Sequence, residues 1–169
     1  MTLHHTVHIR EADLADIPAI AAVAEATWEP TYRTIIAPAQ IEYMYAQIYA
    51  LEALAQQMTE WKHTFLLLSV DEVPSAFAAF APRPEAPTTF KLHKIYLLPN
   101  LQGRGLGKQL ITEVGRRVRA AGGTQLDLNV NRLNPARFFY ERNGFRILRE
   151  EDVPIGPFWM NDFVMRKPL

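Results

Sequence analysis

The sequence predicts an α/β chain of the α+β type, with a mixed sheet flanked by helices in a single domain over 1–169. Three observations carry that expectation. Apolar residues recur at helical spacing through 14–61, strand-like alternation dominates 63–98, and a β-α-β-α-β-β order follows. The 169 residues suit one domain that buries a core without staples.

The stretch 3–10 alternates apolar and polar positions and is expected to be the first strand. Asp13 caps a helix whose face carries Leu14, Ile17, Ile20, Ala21 and Ala24. Trp28, Pro30, Tyr32 and Ile35 form an aromatic-rich connection. Pro38 opens a second helix with Ile41, Met44, Tyr45 and Ile48 on one face, and 51–61 is a third. Strands are expected at 63–70 and 74–81, joined by a turn at Asp71-Glu72. Pro82, Pro84 and Pro87 mark a loop before a strand at 88–98. A helix over 105–121 places Leu106, Leu110, Ile111, Val114 and Val118 together and ends at Gly122-Gly123. Leu126, Leu128 and Val130 alternate as a strand, 135–143 is a short helix, and 145–151 and 158–166 are the last strands.

Composition narrows function. Lys plus Arg and Asp plus Glu balance at 18 each, which argues against a nucleic-acid partner but not against a local basic patch. There is no cysteine, so disulfides, a Cys nucleophile and thiolate zinc are excluded. His4, His5, His8, His63 and His93 show no metal-ligand spacing, and no metal is expected. No segment has the apolar length of a membrane span or the pattern of a secretory signal, so the expected setting is cytoplasmic, with no membrane partner.

The chemistry concentrates in Gln102-Gly103-Arg104-Gly105-Leu106-Gly107-Lys108, between a strand and a helix. A helix N-terminus offers unpaired N–H groups and a partial positive charge, which suit a phosphate. Glycines let the backbone approach an anion, and Arg104 and Lys108 add charge. A tight strand–helix turn is the bland alternative. The nucleotide P-loop is ruled out because Gln109, not a hydroxyl residue, follows Lys108. The dinucleotide fingerprint is ruled out by the spacing Gly103-x-Gly105-x-Gly107.

The pattern Gln/Arg-x-x-Gly-x-Gly/Ala, met here as 102–107, resembles the coenzyme A pyrophosphate signature of the GCN5-related N-acetyltransferase (GNAT) superfamily. A second block, Asn134-Pro135-Ala136-Arg137-Phe138-Phe139-Tyr140-Glu141-Arg142-Asn143-Gly144-Phe145, is similar to another stretch of that family. Shorter matches at 40–44, 92–97, 130–132 and 155–156 resemble the bacterial PaiA-type polyamine acetyltransferases.

The resemblance implies a mostly antiparallel central sheet whose parallel strands splay apart at the cofactor site. It implies acetyl-CoA as co-substrate. Backbone groups at Ile95, Tyr96 and Leu97 would hold its pantetheine arm and polarise the thioester. The loop 102–108 would take the pyrophosphate, with Asn134 and Arg137 also on the cofactor side. Tyr140 carries over as the proton donor to the leaving thiolate, with a core tyrosine as the alternative. His93 stands where polyamine-acetylating relatives have a carboxylate and is the candidate base. Two-residue spacing puts His93 and Ile95 on one strand face, and an exposed strand histidine is the alternative. Glu29, Glu42 and Asp162 are further carboxylates for the substrate side. Trp28, Glu29, Tyr32 and Tyr43, with Tyr45, are expected to meet the acceptor, since aromatics beside carboxylates suit an amine cation. Core packing is the alternative for each aromatic.

The expected activity is acetyl transfer to a primary amine of a small molecule, with a polyamine among the candidates. A protein lysine or N-terminal acetyltransferase and a non-catalytic acetyl-CoA sensor are the alternatives. Relatives are often dimers, and Phe158 and Trp159 are placed to close either an interface or the core.

Overall fold

The computed structural model describes residues 3–169. The chain begins with β1 (Val7–Glu11), a single 3-10 turn capped by Asp13, and three helices: α1 (Ile17–Tyr32), α2 (Pro38–Tyr49) and α3 (Leu51–Thr59). A meander follows, β2 (Thr64–Val70), β3 (Val73–Arg83) and β4 (Ala86–Leu97). Then come α4 (Leu106–Ala120), β5 (Gln125–Asn131), α5 (Ala136–Arg142), β6 (Arg146–Ile155) and β7 (Phe158–Pro168). One seven-stranded sheet results, in the order β1-β2-β3-β4-β5-β7-β6, and only the β4–β5 pair is parallel.

Apolar side chains coat both faces of the sheet. One face packs Leu66, Leu68, Ala78, Phe80, Leu92, Leu128 and Met165 against Leu110, Val114 and Val118 of α4. The other packs Phe65, Leu67, Phe77 and Ala79 under α1–α3, through Ile20, Ala24, Trp28, Met44 and Leu54. Strands covered on both faces read as apolar runs rather than strict alternation, which is why 65–68 and 76–81 are buried throughout.

The first strand starts at Val7 rather than at 3, β6 runs on to Ile155, and two stretches change type. The aromatic stretch at 28–32 is not a connection, because α1 continues through Pro30 to Tyr32. Pro30 in the last turn forgoes one hydrogen bond to the preceding turn, while Trp28 and Tyr32, one turn apart, both bury on the core. Nor is 82–87 a loop. Arg83 pairs with Ala86 across a two-residue turn, and Pro82 and Pro87 sit in the strand ends. The Asp71-Glu72 turn forms as expected, both residues with positive φ, as a two-residue hairpin favours. No helix among the described residues is long and apolar enough to cross a membrane.

Candidate functional site

β4 and β5 pair in parallel only from Thr89↔Gln125 to Leu92↔Leu128. Both strands continue beyond that point without pairing to each other, so the sheet opens from within. β4 keeps its partner β3 through Leu97, which leaves backbone groups of 93–97 directed at the gap with no strand to receive them. A cleft of about 860 Å³ occupies the opening. It runs from the N-terminus of α4 on one face of the sheet to α1 on the other.

At the α4 end, Gln102, Gly103, Gly105, Leu106, Gly107 and Lys108 line the cleft. Gly103 and Gly105 hold φ of +80° and +77°, a region that strongly favours glycine. A Cβ on either would meet open space, so the glycines are needed for backbone shape rather than room. Gly107 differs, since a Cβ there would press on the Phe139 ring at 3.2 Å. No side chain caps α4, and its first N–H groups remain available to an anion. Arg104 is exposed and is not part of the lining.

Asn134 lines the cleft, and its Oδ1 accepts from the Ala136 N–H at 2.9 Å, which starts α5. From α5, Phe139, Tyr140 and Arg142 reach the cleft. Arg137 does not. Its guanidinium stacks over Phe138 and Phe163 and pairs with Glu141 at 3.5 Å. Tyr140 packs edge-on against Phe139 and Phe145. Burial, helped by nearby Tyr32, raises its pKa well above the usual phenol value, so the hydroxyl stays protonated.

At the α1 end, the lining changes to Thr27, Thr31, Tyr32, His93, Lys94, Tyr96 and, from β5, Asn129. The Tyr32 and Tyr96 hydroxyls meet at 3.0 Å. Trp28 lies behind them in the core, 4% exposed, with its ring N–H donating to the Ile41 carbonyl. Tyr43 packs on Phe158, Tyr45 on Tyr49, and Glu29 is exposed and paired with Arg33 at 2.6 Å. Of the expected acceptor residues, Tyr32 alone reaches the cleft. Phe158 is thus used in packing, while Trp159 remains 57% exposed.

His93 sits on the cleft wall, but not on one face with Ile95. β4 bulges there, since Phe80 pairs with Leu92 and Ala79 with Lys94. The extra residue shifts the alternation. Ile95 joins the α4-side core with Leu92, whereas the His93 ring stacks on His63 at 4.2 Å. His93 remains exposed to the cleft, as the alternative had it, and desolvation of its ring, then His63, Lys91, Lys94 and Arg83, hold its pKa below its ordinary value. The imidazole is therefore neutral near pH 7 and a weakened base.

Several cleft residues escaped sequence reading, among them two on strands. Lys94 and Asn129 lie on strands identified for their apolar alternation, and their inward neighbours drew the attention. One signal was present: Phe90 and Leu92 fall on even positions and Ile95 and Leu97 on odd ones, a parity change that a bulge at His93 explains. Of the proposed carboxylates, Glu42 is exposed, and Asp162 is buried behind Asn129, which donates to it at 3.2 Å.

The acetyltransferase (GNAT) family model matches residues 20–145, three quarters of the chain. The chain belongs to the GNAT family. It is an N-acetyltransferase, and the opened β4–β5 pair is the feature of a GNAT sheet that the resemblance led us to expect. A GNAT relative from Thermoplasma acidophilum, spermidine N(1)-acetyltransferase, is 26% identical over 164 residues, 96% of this chain and 97% of that one. An uncharacterised N-acetyltransferase of Bacillus subtilis is 30% identical over 157 residues, 89% of this chain and 86% of that one. Among solved structures, the PaiA N-acetyltransferase from Thermoplasma acidophilum in complex with coenzyme A superimposes with a TM-score of 0.81 and 26% identity. The match covers 97% of this chain and 99% of that one.

Proposed function

We propose that this chain transfers the acetyl group of acetyl-CoA to the primary amine of a small molecule. The observation that carries the reading is the cleft itself. It threads the opened sheet from the uncapped start of α4 to the tyrosines of the opposite face. A coenzyme A-bound relative with the same fold supports the co-substrate.

The residues fit that group. The N–H groups at the start of α4 and the Lys108 ammonium suit a pyrophosphate. The unpaired edge of β4 at Ile95, Tyr96 and Leu97 suits the amides of the pantetheine arm, with Asn134 opposite. Acetyl-CoA supplies the acetyl group as a thioester. β4 backbone N–H groups facing the gap polarise the carbonyl as charge develops on its oxygen. The C–N bond forms as the C–S bond breaks, and the Tyr140 hydroxyl gives its proton to the departing sulfur. The amine gives up its proton to solvent reaching the cleft, since the His93 ring is too weak a base to hold it. Spermidine, the acceptor named for the Thermoplasma relative, heads the acceptor panel. A homodimer is part of the proposal, with exposed Trp159 at its surface, and sedimentation equilibrium checks it.

The test is thiol release from acetyl-CoA across spermidine, spermine, diamines, amino acids and a lysine peptide. Release with a small amine supports the reading. Release with the peptide alone moves the chain to protein acetylation. Tight acetyl-CoA binding without release would replace catalysis with sensing.

A further inference from the structure

We propose that the acceptor of this enzyme carries an anionic group, a carboxylate or phosphate, beside its amine, and that Lys94 holds it. This deepens the N-acetyltransferase reading and rests on it.

The argument begins with which charges the cleft contains. Its lining includes His93, Lys94, Lys108 and Arg142, and no aspartate or glutamate. Lys108 and Arg142 belong to the α4 and α5 end, where phosphates are expected. Lys94 does not. It shares the α1–α3 face of the sheet with Phe65 and Tyr96, and its ammonium lies 5.7 Å from the Phe65 ring centre. It is therefore on the side from which an acceptor would approach.

Lys94 makes no ion pair or side-chain hydrogen bond among the described residues, although it is half-buried. Without a counter-ion, the charge of a half-buried ammonium is left to solvent or to a ligand. Two buried acids of the neighbouring strands, which act on Lys91, make no contact with Lys94. Asp127 is 1% exposed and held by Arg83 at 3.0 Å and Arg166 at 2.7 Å. Asp162 accepts from the Asn129 amide at 3.2 Å, and its Oδ1 is buried with no partner among the described residues. Burial, and then Lys91, lower the Lys94 pKa to about 8, and no carboxylate opposes them. His93 is likewise surrounded by His63, Lys91, Lys94 and Arg83. An added polycation would meet this wall unfavourably, whereas an anion would relieve it. Tyr32 and Asn129 also line this end of the cleft, while the Thr27 and Thr31 hydroxyls there donate to carbonyls of α1.

Matched acceptors that share an amine and differ in charge test the proposal. Glycine, β-alanine, γ-aminobutyrate, their methyl esters, phosphoethanolamine and spermidine are compared by kcat/KM in thiol release. The best anionic amine is expected to exceed its ester and spermidine by about tenfold or more. Whether a carboxylate or phosphoethanolamine leads identifies the anion. Lys94→Met keeps the stem on Phe65 and is expected to bring acid and ester to parity. Lys94→Glu is expected to favour the diamines. If the variants fail to fold, the wild-type comparison still decides. If the wild type turns over nothing, N-acetylated amino acids and N-acetylspermidine are titrated into the coenzyme A complex by calorimetry. This separates failure of catalysis from failure of the subsite. Binding of the acid alone supports the subsite. Equal binding, binding of acetylspermidine alone or binding of neither overturns it, as does equal or faster turnover of spermidine or the esters.

Discussion

Tyr140→Phe separates a proton donor from a packing residue. The substitution removes one oxygen and leaves the ring against Phe139 and Phe145, with centroids at 5.5 and 5.9 Å. The hydroxyl has no hydrogen-bond partner among the described residues, so its loss breaks no internal bond. Stability should stay within about 0.5 kcal/mol of wild type, a shift of no more than about 1–2 °C in Tm for a chain of this size. Catalysis should respond far more. Loss of a general acid lowers the rate by roughly 10²–10⁴-fold. The raised pKa keeps the hydroxyl protonated through neutrality, so the deficit should be flat in pH across that range. Steady-state thiol release, acetyl-CoA titration and thermal melts measure the three quantities. A kcat within about twofold of wild type, or a fall matched by lost acetyl-CoA affinity, refutes the donor role.

Other perturbations follow from the same geometry. Gly105→Ala forces a side chain into left-handed backbone at φ +77°. It should cost about 1–2 kcal/mol in chemical denaturation and weaken acetyl-CoA binding. Gly123→Ala places a Cβ in Val118 and the Phe90 ring, and should cost about 1–3 kcal/mol by overpacking with acetyl-CoA affinity retained in the folded fraction. Asp127→Ala leaves Arg83 and Arg166 without their buried partner and should cost about 3–5 kcal/mol in the same assay. His63, whose pKa burial and then Lys94 and Lys91 lower to about 4, binds its proton more readily unfolded than folded. Its contribution therefore falls as pH drops from 6.5 towards 4. The Tm should fall over that window, and less in His63→Phe. His93→Ala should leave the shape of the pH–rate profile near neutrality unchanged, because the ring is already neutral there. Loss of a limb centred near 6.5 would contradict this.

The parts of the molecule legible in sequence are those where local backbone rules and function coincide. Gly103 and Gly105 are glycines because their φ values are positive, and the same feature makes the phosphate loop recognisable. The faces of α4 and the Asp71-Glu72 turn follow from periodicity and turn chemistry. Other features depend on tertiary context. Pro30 reads as a helix breaker until Trp28 and Tyr32 are seen to need the same helix to reach the core. Trp28 and Tyr43 look like acceptor contacts, yet one is core and the other packs on Phe158. Arg137 sits within a family motif, but two phenylalanine rings claim it. The bulge at His93 moves that ring to the opposite face from Ile95, and two-residue spacing alone cannot register an inserted residue. Lys94 draws its interest from what is missing around it, and no local pattern encodes a missing counter-ion.

The most direct measurement is thiol release from acetyl-CoA with the purified chain and a panel of small amines, with the acetylated product weighed by mass spectrometry. The account predicts stoichiometric thiol and N-acetylamine with at least one small amine. Saturable acetyl-CoA binding with no acetylated product from any amine in the panel would contradict it.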